Sequence, residues 1–332
     1  MTSPVQPETQ GWRAWTRRWA PQGPLDALVR LVLLIPLGVA LVALSGIGHR
    51  GFDILAQFTG PALVATAGVT VLLALTRLKA AALHGLAACL ALTIAVAPQW
   101  FPGGPRPAPG APIVRVYSAN LYYLNDDVAA IRRSIVEADA DIVLLIELGQ
   151  DTGRRADELL EGYPHRAASM RMDLTRGPSR SVIASRWPLA ALPDSPDGLH
   201  AVAAVARTPL GRLNVVGVHL TRPWPFQEQW GQISQTIALQ AVLDGLDGPM
   251  IVAGDFNSVS SARIGKQVRR DLGLHPAAGF PGTWPANLPA PLGMTIDQVY
   301  ASPNLAFVRR RLGDPTGSDH RPVVTEITRA AD

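Results

Sequence analysis

Six places in this 332-residue chain carry side chains that can hold a cation or move a proton, each at or near one end of an apolar run. Asn120 closes IVRVYSAN, Glu147 sits in DIVLLIEL, His219 in RLNVVGVHL, and Asp255 with Asn257 closes PMIVAGDFN. Asp297 opens IDQVYAS, and Ser318-Asp319-His320 precedes PVVTEI. Carboxylates and amide oxygens are hard ligands for a divalent ion, while imidazole and carboxylate exchange protons near neutral pH. Taken singly, each residue has a plain structural role: a turn-forming Asn or Gly-Asp, a solvated Glu, a packed His. Six such strand ends together, mainly of metal-ligand and acid/base type, point instead to one surface cleft.

The elements that must position them form a β/α pattern from Ile113 onward. IVRVYSAN is a short β-branched strand, and Asp126 to Glu137 follows as an amphipathic helix with Asn125 as its cap. DIVLLIEL is almost wholly apolar, as a strand covered on both faces must be. SVIASRW, HAVAAVART, RLNVVGVHL, PMIVAGDF, IDQVYAS, AFVRRR and PVVTEI read as further strands, with helices over Phe226 to Leu246 and within Ser260 to Asp271. Roughly 220 residues of this kind suffice for one large core, and no tandem repeat is present.

Composition divides the chain. With 48% hydrophobic and 17% charged residues it is too apolar for one ordinary soluble globule. Eight of the 30 Lys and Arg and three of the 26 Asp and Glu precede residue 113, so residues 113–332 carry a net charge of −1. The basic excess is therefore a membrane-flank signal, and does not by itself argue for nucleic acid. One cysteine, Cys89 in an apolar stretch, excludes a disulfide scaffold and argues against thiol or zinc-thiolate chemistry.

Three apolar runs, about 25–47, 54–76 and 80–98, follow a Trp- and Arg-rich segment over residues 1–24. At 1.5 Å per residue each can cross a hydrocarbon core of roughly 30 Å, the first only marginally if it begins at Leu31 rather than near Leu25. A cleaved signal peptide is disfavoured by the two further runs and by the lack of a small-x-small cleavage site. Arg13, Arg17, Arg18, Arg30, Arg77 and Lys79 share one side of a three-span bundle, with Arg50 and Arg106 on the other. The positive-inside rule then places residues 1–24 in the cytoplasm and everything after Pro98 outside the cytoplasmic (inner) membrane. His84 reads as a packing or interfacial residue. Residues 99–112 form a Pro/Gly-rich extended linker, with Trp100 and Phe101 suited to the membrane interface.

SANL at Asn120, IEL at Glu147, GVHL at His219, GDFN at 254–257, IDQVYAS at Asp297 and GSDHRP at 317–322 together resemble the endonuclease/exonuclease/phosphatase (DNase I-like) superfamily. The resemblance covers about residues 113–328 in the expected order, and the three N-terminal runs are similar to a membrane-bound bacterial branch. It implies an α/β fold, a four-layer sandwich of two facing mixed β-sheets with helices outside and the site at the rim, preceded by a three-helix transmembrane region. It also implies hydrolysis of a phosphodiester by water attack, dependent on Mg²⁺ or Mn²⁺. A phosphoester offers oxygens and a poor leaving group, so it needs a charge clamp and a positioned water.

Carried onto this chain, the resemblance makes Glu147 the first metal ligand, Asn120 a neutral oxygen ligand, and Asp319 a residue that binds or orients the metal. Asp255 would orient or deprotonate the attacking water, with Asn257 holding that water or the phosphate. His320 would contact the scissile phosphate or transfer a proton, with Asp297 fixing its tautomer. His219 would be a phosphate contact or leaving-group acid. Which of Asp255, His219 and His320 is base and which is acid stays open. Two departures stand out: Tyr122 replaces an acidic residue found in some abasic-site enzymes, and Ser181 replaces a common glycine.

Two substrate classes compete, nucleic acid and a phospholipid head group. A nuclease needs a basic groove, to which Arg171, Arg176 and Arg180 could contribute, whereas Arg309 to Arg311 read as a surface patch. A head-group enzyme gains from a tether at the lipid bilayer, and Trp224, Phe226 and Trp230 could touch lipid, stack a base or pack a helix. The alternative class is an inactive binding or scaffold protein on the same fold.

Overall fold

The computed structural model describes residues 20–169, 180–223 and 228–331. Four helices come first: α1 (Pro24–Ser45), α2 (Arg50–Ala56), α3 (Thr59–Ala74) and α4 (Lys79–Trp100). α1 and α4, with mean hydropathies of 2.6 and 2.0, are long and apolar enough to cross a membrane. The middle run is not one straight helix: α2 and α3 meet at a bend of 53° and make a third candidate span only as a pair. Pro61 lies in the first turn of α3, where its ring disfavours helical continuity with the turn around Gln57. Pro36 and Pro98, in contrast, stay inside α1 and α4.

The remainder contains β1 (Val114–Asn120), α5 (Val128–Ala138), β2 (Ile142–Ile146), α6 (Gln150–Arg154), α7 (Ala156–Leu159), β3 (His165–Ala168) and β4 (Ser181–Ser185). Then come β5 (Leu189–Ala191), β6 (His200–Thr208), β7 (Gly211–His219), α8 (Gln229–Asp244), β8 (Met250–Asp255) and α9 (Arg263–Asp271). The chain closes with β9 (His275–Pro276), β10 (Asp297–Ala301), β11 (Leu305–Leu312) and β12 (Val323–Arg329). They form two six-stranded sheets, ordered β11-β12-β1-β2-β4-β3 and β5-β6-β7-β8-β10-β9. Both are mixed: β1 with β2 and β7 with β8 are parallel.

Strand periodicity explains the layers. Val114, Val116, Ile142, Leu144 and Ile146 of one sheet meet Val215, Ile251, Ala253 and Val299 of the other in the central core. Residues of opposite parity, such as Tyr117, Val143 and Leu145, pack beneath Ile131 and Ile135 of α5. On the far side Val216, Val218 and Val252 pack beneath Leu239 of α8 and Ile264 of α9. The result is the four-layer α/β sandwich, with β2 buried on both faces. Counting on in twos from the central core puts Asn120, His219, Asp255 and Asp297 on the inner faces, at strand ends.

Two local readings change. The helix after β1 is capped by Asp127, whose carboxylate accepts from Ala130 N at 2.8 Å. Asn125 instead accepts from Asp127 N and donates to Thr316 O, because it bridges to the loop before His320. Arg309–Arg311 is not wholly a surface patch, since Arg310 turns inward and donates to Pro281 O at 2.7 Å. The Pro/Gly-rich linker lies along the end of β12, where Ala108 N donates to Arg329 O at 2.9 Å and Ala331 N to Arg106 O at 2.7 Å.

The N-terminal helices sit against the sandwich through buried polar contacts. The Asp53 carboxylate accepts from Arg263 N at 2.7 Å and from the Gln229 side chain. Gln57 accepts from Val259 N at 2.8 Å and donates to Ser258 Oγ at 3.2 Å. Gln99 accepts from Gly279 N and Ser261 Oγ. Ala56 and Phe58 share an apolar cluster with Val259, Met294, Ile296 and Trp284.

Candidate active site

Three adjacent strands present a row of chemistry: His219 on β7 pairs in register with Asp255 on β8, which pairs with Asp297 on β10. β1 and β2 supply the facing wall. Asn120, on the inner face of β1, donates through Nδ2 to Glu147 Oε1 at 2.9 Å and to Asp255 Oδ2 at 3.0 Å. Its Oδ1 is taken by Tyr122 N at 2.9 Å, so Asn120 meets the carboxylates as a donor. Glu147 follows the inward-facing Ile146, and strict alternation would aim it outward. Its backbone is left-handed (φ 55°), which breaks the alternation and accompanies a carboxylate 3.2 Å from His219 Nε2.

Asp255 is the hub. His219 Nε2 and His320 Nε2 lie 3.8 and 3.9 Å from its Oδ2. Asn257 N donates to its Oδ1 at 2.7 Å and Asn257 Nδ2 to its Oδ2 at 3.2 Å. This return contact requires the left-handed backbone of Asn257 (φ 46°). Gly254 must be glycine: at φ 138°, an added Cβ would lie 2.1 Å from Val218 O and 2.4 Å from Ile146 Cδ1.

His320 is held from both sides. Its Nδ1 lies 2.9 Å from Asp297 Oδ2, and its backbone N donates to Ser318 Oγ at 3.0 Å. Ser318 in turn donates to Asn120 O at 2.8 Å, tying the β11–β12 loop to the end of β1 in the same sheet, so that His320 reaches Asp297 of the other sheet. Thr283 Oγ1 accepts from Asp297 N at 3.2 Å. Ser318 and Thr283 are positioning residues to which sequence reasoning gave no role. The spacing of Ser318 two places before a site histidine was the available signal for the first.

Two overlapping groups result, Glu147–His219–Asp255 and Asp255–Asp297–His320, each with ligand atoms within 4.8 Å of one another. Asp319 joins neither; it is exposed and its Oδ2 accepts from Trp284 Nε1 at 3.1 Å. Arg180 is buried, with Nη1 3.4 Å from Gly149 O, whereas Arg171, Arg176, Trp224 and Phe226 lie outside the described residues. Trp230 is exposed.

Electrostatics separates the roles. Burial pushes the Asp255 carboxyl up to about 6, helped by Asp297 and opposed by the two histidines. Burial disfavours the His320 cation, but Asp297 and Asp255 outweigh it and carry His320 up to about 10. At neutral pH the site therefore holds an imidazolium backed by Asp297 beside an ionised Asp255.

This sandwich and rim site define a class. The chain matches the Endonuclease/Exonuclease/phosphatase family over residues 117–320, well over half its length, and belongs to that family. Solved structures agree in fold. An endonuclease/exonuclease/phosphatase from Beutenbergia cavernae aligns at TM-score 0.51 and 21% identity, over 66% of this chain and 72% of that one. The mannosyl-6-phosphatase Bt3783 of Bacteroides thetaiotaomicron aligns at 0.51 and 18%, over 65% and 99%. The human Nocturnin catalytic domain, solved with a bound sulfate anion, aligns at 0.51 and 19%, over 66% and 96%. No curated protein sequence is significantly similar to this chain. Family membership makes the chain a hydrolase acting on phosphate esters.

Proposed function

We propose that this protein is a divalent-metal-dependent phosphodiesterase, anchored by its N-terminal helices with the sandwich outside the cytoplasmic membrane. The observation that carries the chemistry is the sharing of Asp255 between two carboxylate–imidazole groups. The donor set fits a metal: among the described residues no Lys or Arg ion-pairs with Glu147, Asp255 or Asp297, so their charge lacks a fixed cation other than histidine. Glu147, at the open edge of the group it forms with His219 and Asp255, is the residue that would hold Mg²⁺ or Mn²⁺. Such an ion, when bound, neutralises phosphate charge and acidifies water.

The chain's own residues do the rest. Asp255, held by Asn257 and Asn120, is the base for the attacking water, since a carboxyl near 6 is ionised at neutral pH yet basic enough to accept a proton. His320, kept cationic by Asp297, stabilises charge on the phosphate and can protonate the leaving oxygen. His219 stands on the opposite side of Asp255 as a second phosphate contact. Asp319, placed on Trp284, shapes the rim.

A phospholipid head group is the substrate class best supported. The Trp284 indole reaches Asp319 while its ring shares a cluster with Phe58 and Ala56, so the cleft rim continues into the N-terminal helices. Leu124 and Leu288 are exposed apolar residues on segments flanking the site. The sandwich, at net −1, offers a long nucleic acid backbone little attraction. The test is hydrolysis of bis-p-nitrophenyl phosphate and of phospholipid vesicles by the full chain with Mg²⁺, with chelator, and as Glu147→Ala and His320→Ala. Turnover that is absent, or equal in all forms, removes the enzyme reading. DNA cleavage that falls steeply with salt and exceeds lipid cleavage replaces the head-group reading.

A further inference from the structure

Helix α9 carries Arg263, Lys266, Arg269 and Arg270 within nine residues, while its apolar Ile264 and Val268 are buried. The cationic side meets the ends of the N-terminal helices. Two adjoining cavities of about 480 and 390 Å³ open there, and Ala43 of α1, Lys266 and Arg270 line both. The first also takes in Ile47 and Phe52, the second Leu44, Ile94 and Arg269. Lys266 is one of only two lysines in the chain.

These cations are available. Among the described residues none of Lys266, Arg269 and Arg270 ion-pairs with a carboxylate. Asp53 lines the first cavity, but its oxygens are engaged by Arg263 N and Gln229. Asp271, also on that cavity, is exposed. The opposite wall is apolar and open: Leu44, Ile47 and Ile94 are each about half exposed, at 47, 54 and 56%. A soluble anion has no use for such a wall, and a lipid without charge has none for the cations. The ligand that matches both carries a phosphate on acyl chains.

Building on the membrane reading above, we infer that this junction binds an acidic phospholipid of the surrounding bilayer. Its phosphate lies against Lys266 and Arg270, and its acyl chains run along Leu44 and Ile94. The site shares no residue with the catalytic cleft. Cations near an anionic bilayer surface each add to its attraction, so reversing both should weaken binding by at least about tenfold.

The test is native mass spectrometry of the full chain from nanodiscs of phosphatidylcholine alone or with phosphatidylglycerol. The wild type should retain phosphatidylglycerol preferentially, and the pair Lys266→Glu with Arg270→Glu should lose that preference at least about tenfold. The control Arg133→Glu, on α5 at the other face of the sandwich, should keep it. Equal retention by wild type and the Lys266/Arg270 pair overturns the site while leaving the anchor intact. Competition by millimolar inorganic phosphate as strong as that by the lipid also overturns it. A wild-type chain that enters no nanodisc removes the membrane reading itself, a separate outcome.

Discussion

Gln57 offers a measurement of how firmly the N-terminal helices hold the catalytic loop. The residue is 2% exposed, and its side chain accepts from Val259 N at 2.8 Å and donates to Ser258 Oγ at 3.2 Å. Val259 is itself fully buried, two residues beyond Asn257. In Gln57→Ala the Val259 N–H loses its acceptor where water cannot replace it, at a cost of about 1–3 kcal/mol. Ser258 loses less, because its hydroxyl still faces Val259 O at 3.4 Å. A central value of about 2 kcal/mol corresponds to roughly 30-fold more frequent local opening. Amide hydrogen exchange on the full chain, followed on peptides covering 255–264, reads this directly as roughly 30-fold lost protection. Peptides from β2, buried on both faces, should not change. Protection over 255–264 within about twofold of wild type would refute the reasoning, since the loop would then stand without the helices.

Other outcomes follow from the site. Asp297→Asn removes the charged partner of His320 Nδ1 and should lower kcat about 10²-fold or more with a small change in KM, seen in steady-state kinetics. The wild-type rate should rise as Asp255 ionises near 6 and fall as His320 loses its proton near 10, and Asp297→Asn should move the alkaline limb down. His320, raised in the fold above its ordinary value of 6.5, contributes stability that is full below that value and lost as pH rises through about 10. The Tm advantage of chelated wild type over His320→Gln should therefore shrink between pH 6 and 10.5. Gly254→Ala combines backbone strain with a clash against Val218 O and should cost about 3 kcal/mol or more, seen as a large fall in Tm or loss of folded protein.

Much of the site was legible because strand ends announce themselves. A buried strand is an apolar run, and a polar residue closing it has to face either a partner or a ligand. Thus Asn120, Glu147, His219, Asp255, Asn257, Asp297 and His320 could all be picked out, and the two-residue period already fixed that most share one face. Asp319 could not be separated from its neighbour His320 in this way: adjacent residues on an irregular loop point apart, and one reaches Asp255 while the other meets Trp284. Short edge strands such as β5 and β9 escaped because three and two residues carry no periodicity.

Hydropathy, charge partition and motif order thus determined, without coordinates, an apolar helical region followed by one α/β domain with a rim of acids, amides and imidazoles. Tertiary structure alone decided the rest. Glu147 reaches His219 only through a left-handed backbone, Ser318 finds its use only 198 residues away at Asn120, and the bend at 57–58 has its partners at 258 and 259. Periodicity and hydropathy are sums over neighbours along the chain. A single hydrogen bond between distant residues changes neither sum, so it becomes visible only once the chain has closed on itself.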